Sequence, residues 1–239
     1  MIESAPRLAA ADAALCGVHV LVSAGPTYED IDPVRFLGNR SSGKMGFAIA
    51  AAAVARGAQV TLVAGPVHLS TPEGVRRVDV RSAAQMHRAV MDALPVDVYI
   101  GAAAVADFSP RVVAANKIKK TQGREQLTLE LVRTRDILAD VAGSAQRPRL
   151  VLGFAAETDQ VEAHARAKLT RKRIDLIAAN RVGAPGTGFE SDENTLDVIW
   201  SGGSQRLGPT DKPQLAQALL DVLQQRLAID VGGSVPALS

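Results

Sequence analysis

The chain has 239 residues, with 27 basic and 25 acidic side chains for a formal net charge of +2. That near-balance excludes charge as the main attraction, and with it a nucleic-acid binder or a polybasic membrane binder. At about 100 to 200 residues per domain the length allows one large or two small domains, enough to bury a core without disulfides, which the single cysteine, Cys16, could not form within the chain.

Hydrophobic residues make up 47% of the chain and aromatics only 3%. This is the texture of Ala, Val, Leu and Ile packed between a parallel sheet and covering helices, and it argues against an all-β sandwich. No stretch approaches the roughly 20 apolar residues that cross a bilayer; the Ala-rich run from Phe47 to Ala55 ends at Arg56-Gly57. The opening Met1 to Arg7 has no positively charged start leading into an apolar stretch, so no secretory signal is expected and the cytoplasm is the expected compartment.

Residues 1–16 are Ala-rich without a clear period and read as a linker remnant, as if the chain were cut from something longer; 17–229 read as the domain proper and 230–239 as a flexible tail. Val18 to Ser23 reads as a buried strand, followed by a long polar loop and a helix from Met45 to Arg56 that Gly57 closes. Gln59 to Ala64 and Val75 to Val80 are expected strands, Ser82 can cap a helix running to Leu94, and Val96 to Ala103 is a strand apolar enough to be buried on both faces. From Asp107 to Arg135 the texture changes to an inserted flap, with Leu127 to Leu131 alternating as an exposed strand. Helix Asp136 to Ala142, strand Leu150 to Ala155, helix Gln160 to Arg173 and strand Leu176 to Ala179 resume the alternation. Asn194 to Trp200 and Gln205 to Leu207 then flank a hairpin before a helix from Lys212 to Leu227.

The expected fold is therefore α/β, a Rossmann-like doubly wound and mostly parallel sheet with helices on both faces and an inserted flap. Ligands bind such sheets outside the carboxyl ends of the strands. Three polar clusters fall at such ends: Gly25 to Lys44, Asp107 to Lys120, and Glu157-Thr158.

Gly38 to Lys44 fits the spacing of a phosphate-binding P-loop, but it starts some fifteen residues after its strand, and Met45 stands where a Mg²⁺-binding hydroxyl belongs. Ser41, Ser42 and Gly43 still precede a helix whose free N–H groups favour an anion; simple capping by Ser42 is the plainer alternative. Gly25-Pro26-Thr27 lacks the dinucleotide spacing of glycines, and Pro26 removes an N–H that would face a pyrophosphate. His19, His68, His87 and His164 are scattered without metal-ligand spacing. Asp107 ends a run of small residues that lets a ligand approach the backbone; it is either a ligand-binding carboxylate or a turn residue. Lys117, Lys119 and Lys120 in the flap, with Lys168 and Lys172 four apart on one helix face, form either a shared polyanion site or a solvated surface.

The segment Gly25 to Gly46 closely resembles the opening motif of bacterial phosphopantothenate–cysteine ligases, the synthetase half of the bifunctional coenzyme A biosynthesis protein. Ala103 to Phe108, Lys117 to Lys120, Gly153 to Thr158, Lys168 with Lys172, and Gly188 to Asn194 extend the likeness over about residues 18–227. The resemblance implies activation of the carboxylate of 4'-phosphopantothenate by CTP as an acyl cytidylate, then attack by the amine of L-cysteine. It implies that Asn39 grips the acyl cytidylate with Arg35 in support, that Lys117 serves the second half-reaction or the phosphates, and that Ala104 lines the site. Asp107, Lys117, Asp136, Ile137, Leu138, Ala139, Phe154, Lys168 and Lys172 fall on CTP-binding positions, with Asn39, Ser41, Ser42 and Gly43 as anion contacts. Mg²⁺ is implied with CTP, its ligands unassigned. The resemblance also implies a homodimer and a fused or removed decarboxylase domain, whose FMN is not expected in this chain. The competing reading is an NAD(P)-linked reductase or nucleotide-binding module on a similar sheet, which would dispense with the glycine fingerprint.

Overall fold

His19–Ala24 forms the first strand, β1, with every residue after His19 buried. Its side chains alternate between two cores, Val20 and Val22 entering one and Leu21 the other, as a strand covered on both faces requires. The computed structural model describes residues 14–119, 125–157, 161–181 and 193–232. Ahead of β1, residues 14–17 form a turn that buries Leu15 and bonds its N–H to the Arg56 carbonyl at 2.9 Å.

In chain order the remaining elements are β2 (Tyr28–Asp30), β3 (Phe36–Gly38), α1 (Lys44–Ala55), β4 (Gln59–Ala64), β5 (Val75–Asp79), α2 (Ala83–Asp92), β6 (Val98–Gly101), β7 (Phe108–Pro110) and β8 (Leu131–Arg133). Then come α3 (Ile137–Ala142), β9 (Leu150–Glu157), α4 (Val161–Lys172), β10 (Leu176–Arg181), β11 (Glu193–Trp200), β12 (Gly203–Asp211) and α5 (Lys212–Gly232). The central sheet has 8 strands in the order β12-β11-β10-β9-β6-β1-β4-β5. All neighbours from β10 to β5 are parallel, and β11 and β12 add an antiparallel edge.

Counted from β1, the parallel strands run outward in one direction through β4 and β5 and in the other through β6, β9 and β10. The order reverses between β1 and β6, and a doubly wound sheet opens its ligand crevice at such a reversal. Helices α1 and α5 cover one face; α2, α3 and α4 cover the other. Ser82 caps α2 in a reciprocal box with Gln85, and the buried Glu29 carboxylate accepts from the Ala83 N–H at 2.8 Å, joining the loop after β1 to the opposite helix layer.

Two short ladders lie outside the sheet. The long loop after β1 is in part a hairpin, with Tyr28, Glu29 and Asp30 facing Gly38, Leu37 and Phe36. The expected flap is an arm in which β7 pairs with β8. Leu127 to Glu130 is not strand; the ladder falls on Leu131–Arg133 because Phe108–Pro110 sets the register. Helix α5 runs on to Gly232, past the expected end at Leu227.

Candidate active site

A trough with two lobes lies at the carboxyl ends of β1, β6, β9 and β10. The first lobe, about 330 Å³, is lined by residues 41–46 at the start of α1, 102–105 after β6, Phe154, Lys168, Asn180, Asn194 and Lys212. The second, about 610 Å³, runs between β6, the arm and α3, reaching Arg133, Asp136, Leu138, Arg171 and Lys172. Ala103, Val105, Asp107, Phe154 and Lys168 line both, so the lobes share one wall.

The start of α1 faces the first lobe because Gly43 takes the left-handed conformation at φ 75°, which a Cβ would oppose. Gly43, not Ser42, is the N-cap, and no side chain caps the helix; the Ser41 hydroxyl instead accepts from the Gly43 N–H at 3.3 Å. The first-turn N–H groups, which have no carbonyl four residues back, therefore present a positive helix end to the lobe.

The loops after β1 and β6 are stitched together. Ala104 N–H donates to the Gly25 carbonyl at 2.9 Å, and Thr27 N–H donates to the Ala104 carbonyl at 3.2 Å. The buried Thr27 hydroxyl accepts from the Ala106 N–H at 2.9 Å. Onto the same Ala104 carbonyl Asn39 donates its side-chain amide at 3.0 Å. Asn39 is exposed and follows β3 directly, so the hairpin exists, in effect, to return the chain to the strand ends.

Arg35 is held from below. The carboxylate of Asp32, whose side chain is fully buried, accepts from the N–H groups of Val34 and Arg35 at 2.8 and 2.9 Å, from the Arg35 guanidinium, and from the Ile118 N–H at 3.0 Å. Arg35 also donates to the Ile118 carbonyl at 3.0 Å. The Arg35 guanidinium, ahead of the backbone donors, keeps the Asp32 carboxyl ionised well below the usual carboxylate range. One buried charge thus fixes both Arg35 and the arm segment carrying Lys117 and Lys119.

In the second lobe Asp136 caps α3, accepting from the Ala139 N–H at 3.1 Å, and pairs with Lys172 at 2.7 Å. Burial works against its charge, but the Lys172 and Ala139 bonds outweigh it and its pKa lies below the ordinary value. Ile137 is buried, and Leu138 fills the space left by Gly101 and Gly153, where a Cβ on Gly153 would meet its Cδ2 at 2.5 Å. On the floor the Tyr99 hydroxyl meets the Ser23 hydroxyl at 3.0 Å, and burial pushes the phenol up to about 12.

Residues 15–227 match the family described as DNA/pantothenate metabolism flavoprotein C-terminal domain. The chain belongs to this family. Among curated members of it, the coenzyme A biosynthesis bifunctional protein CoaBC of Vibrio cholerae is 49% identical over 214 residues, covering 89% of this chain and 54% of that protein. The CoaBC of Escherichia coli is 50% identical over 212 residues, covering 87% and 52%. The chain thus spans about half the length of the curated relatives it matches. A crystal structure of the C-terminal domain of CoaBC is 38% identical with a TM-score of 0.76, covering 91% of this chain and 99% of that one, so the likeness falls on the CoaB domain.

Within this family fold, the residues read from sequence divide into three groups. Ser41, Ser42, Gly43, Ala104, Asp107, Asp136, Ile137, Leu138, Phe154, Lys168 and Lys172 line the trough, Ala139 supports it through its N–H, and Asn39 is bonded to its rim at Ala104. Arg35, Lys117 and Lys119 stand on the hairpin and arm, exposed and outside both lobes. Lys120, Thr158 and most of Gly188 to Asn194 lie outside the described residues. Of the five lysines read as either a shared polyanion site or a solvated surface, Lys168 and Lys172 line the second lobe together. Sequence reasoning missed Lys212, Asn180, Ser23 and Tyr99 as lining residues, because each is brought in by a different strand or helix and no local spacing marks it.

Proposed function

We propose that this domain ligates 4'-phosphopantothenate to L-cysteine at the expense of CTP, in the manner the resemblance implies. A substrate carboxylate oxygen attacks the α-phosphorus of CTP, the bond to the β-phosphate breaks and pyrophosphate leaves, giving 4'-phosphopantothenoyl-CMP. The cysteine amine then attacks the acyl carbon, the bond to CMP breaks and the amine loses a proton, giving 4'-phosphopantothenoylcysteine. The observation that carries this reading is the Asn39 amide bonded to the Ala104 carbonyl at the junction of the two strand-end loops, beside the positive end of α1.

In this reading Asn39 holds the acyl cytidylate, a role suited to an amide that donates and accepts. Arg35, fixed by Asp32, supplies positive charge at the hairpin. Lys168 and Lys172 offset the triphosphate's charge, Phe154 packs against the nucleotide, and the backbone at 136–139 offers polar edges to the base. Mg²⁺ bound with CTP would neutralise charge on the departing pyrophosphate. Asp107, on the wall common to both lobes, fits as an oxygen ligand, and among the described residues no group of three or more His, Cys, Asp or Glu forms a ready cage; a cation carried by phosphates and water needs none. No flavin or decarboxylation role is assigned to this chain.

Incubation with CTP, Mg²⁺, 4'-phosphopantothenate and cysteine should release pyrophosphate and form the thiol product. Absence of CTP-dependent release overturns the reading.

A homodimer belongs to the same proposal. Val34 on the hairpin is 59% exposed and Val112 on the arm 77%, with Phe36 and Phe108 also open; apolar side chains gathered on two neighbouring projections are suited to burial against a second copy. That contact would bring the Lys117 arm toward the neighbouring trough. Val112→Asp is expected to shift the chain from dimer to monomer in light scattering, and an undiminished dimer would place the contact elsewhere.

A further inference from the structure

Ser23 on β1 and Tyr99 on β6 take no part in the proposed reaction, yet both line the second lobe while each is only 1% exposed. Their hydroxyl oxygens lie 3.0 Å apart, and either can be the donor. Each hydroxyl carries a single proton. The bond between them uses one, so a second is left over whichever way the bond runs. Among the described residues neither side chain has another hydrogen-bond partner. A buried donor left without an acceptor costs stability, and native proteins keep few of them.

The strands leave that proton open to the lobe. Ser23 pairs in register with Gly101 across the β1–β6 junction, and Tyr99, two residues before Gly101, shares its face of β6. A Cβ on Gly101 would stand 3.5 Å from the Tyr99 hydroxyl oxygen and 3.1 Å from Leu138 Cδ1, so the missing side chain is what leaves the hydroxyls uncovered beside Leu138. Positive charge in the lobe is carried by the arm and α4, at Arg133, Arg171 and Lys172, where phosphates are drawn. The floor between the strands is different: burial there pushes the Tyr99 phenol up to about 12, and a site that disfavours charge suits a neutral acceptor over an anion. We infer that the Ser23–Tyr99 pair recognises the nucleotide base, donating its surplus proton to the ring carbonyl oxygen of a pyrimidine. The inference rests on the proposed ligase reading, in which the base lies at 136–139, and it names a determinant of nucleotide choice that the reading leaves open.

Titration calorimetry with CTP and with 2-thio-CTP, which differs only in a sulfur in place of that carbonyl oxygen, tests it. Sulfur is the poorer acceptor, so the parent chain should prefer CTP by about 3- to 10-fold, the worth of one neutral hydrogen bond. The double variant Ser23→Ala with Tyr99→Phe keeps the ring and loses both hydroxyls; it should bind the two nucleotides alike. A purely structural role for the pair would weaken both ligands together and leave their ratio as in the parent. Where the double variant does not fold, Gly101→Ala replaces it, since its methyl covers the hydroxyls while leaving them in place, and the same loss of preference is expected. A parent chain that binds the two nucleotides equally, or a variant that keeps the preference, overturns the inference alone. A parent chain that binds neither overturns the ligase reading.

Discussion

Asn39→Asp is expected to lower the overall rate of ligation by about 10²–10³-fold, the scale of losing one donor aimed at developing charge, while the first burst of pyrophosphate survives. The reason lies in what the side chain offers. As an amide, Asn39 donates to the Ala104 carbonyl at 3.0 Å; as a carboxylate it would have no proton to give and would face that carbonyl oxygen with like charge. In the proposed reaction the attack on the α-phosphorus depends on the cations and the α1 terminus, which the change leaves in place. The second step of that proposal depends on holding an acyl carbonyl whose oxygen gathers negative charge, which a carboxylate opposes. Rapid-quench measurement should therefore show acyl cytidylate accumulating in the variant. Unchanged overall turnover would sink the assignment of Asn39, and an abolished burst would move its role to the first half-reaction.

Gly65→Ala should be the most damaging of the small substitutions. Gly65 follows β4 and donates its N–H to the Ala24 carbonyl at 2.9 Å. A Cβ there would lie 1.7 Å from the Pro26 carbonyl oxygen and 2.9 Å from its carbon, a backbone clash that no rotamer relieves. Pro26 bridges to Ala104, so any shift of Pro26 moves the rim on which Asn39 rests. We expect a loss of about 3 kcal/mol, or a melting temperature lower by about 6–12 °C. Turnover should fall even at temperatures where the variant is fully folded. Calorimetry and kinetics on the same preparation check both, and a variant that melts and turns over like the parent would show that this loop yields without cost.

The two predictions draw on parts of the molecule that differed in how openly the sequence displayed them. β1, β4 and the capped start of α2 stood out because each is local: an apolar run bounded by polar residues, or Ser82 as a cap ahead of a helical run. Burial on both faces then implied the doubly wound sheet. The β2–β3 hairpin did not stand out, since strands of three residues are too short for a period to show, and the polar texture of 25–44 hid a ladder that depends on the Tyr28–Phe36 stack at 3.9 Å. The strand placed at Leu127 to Leu131 had the right alternation, but pairing with Phe108–Pro110 decided the register instead. At the site, 136–139 came only through the family resemblance, while the contiguous 41–43, ahead of a helix, were readable from the residues themselves. Lys212 and Asn180 were not, because the chain must cross the whole sheet before they meet residues 41–46.

Far from the trough, Arg56 closes the other end of α1. Its guanidinium donates to the Gln217 and Gln224 side chains at 2.8 to 2.9 Å and to the Gln217 carbonyl at 2.9 Å, and pairs with Asp221 at 2.8 Å, all on α5. Both helices begin at the first lobe and run back from it, so they act as two arms of a pair of tongs riveted near the handle, about 18 Å from the jaws for a helix the length of α1. The Arg56 contacts thus tie α1 to α5 at a point that lines neither lobe.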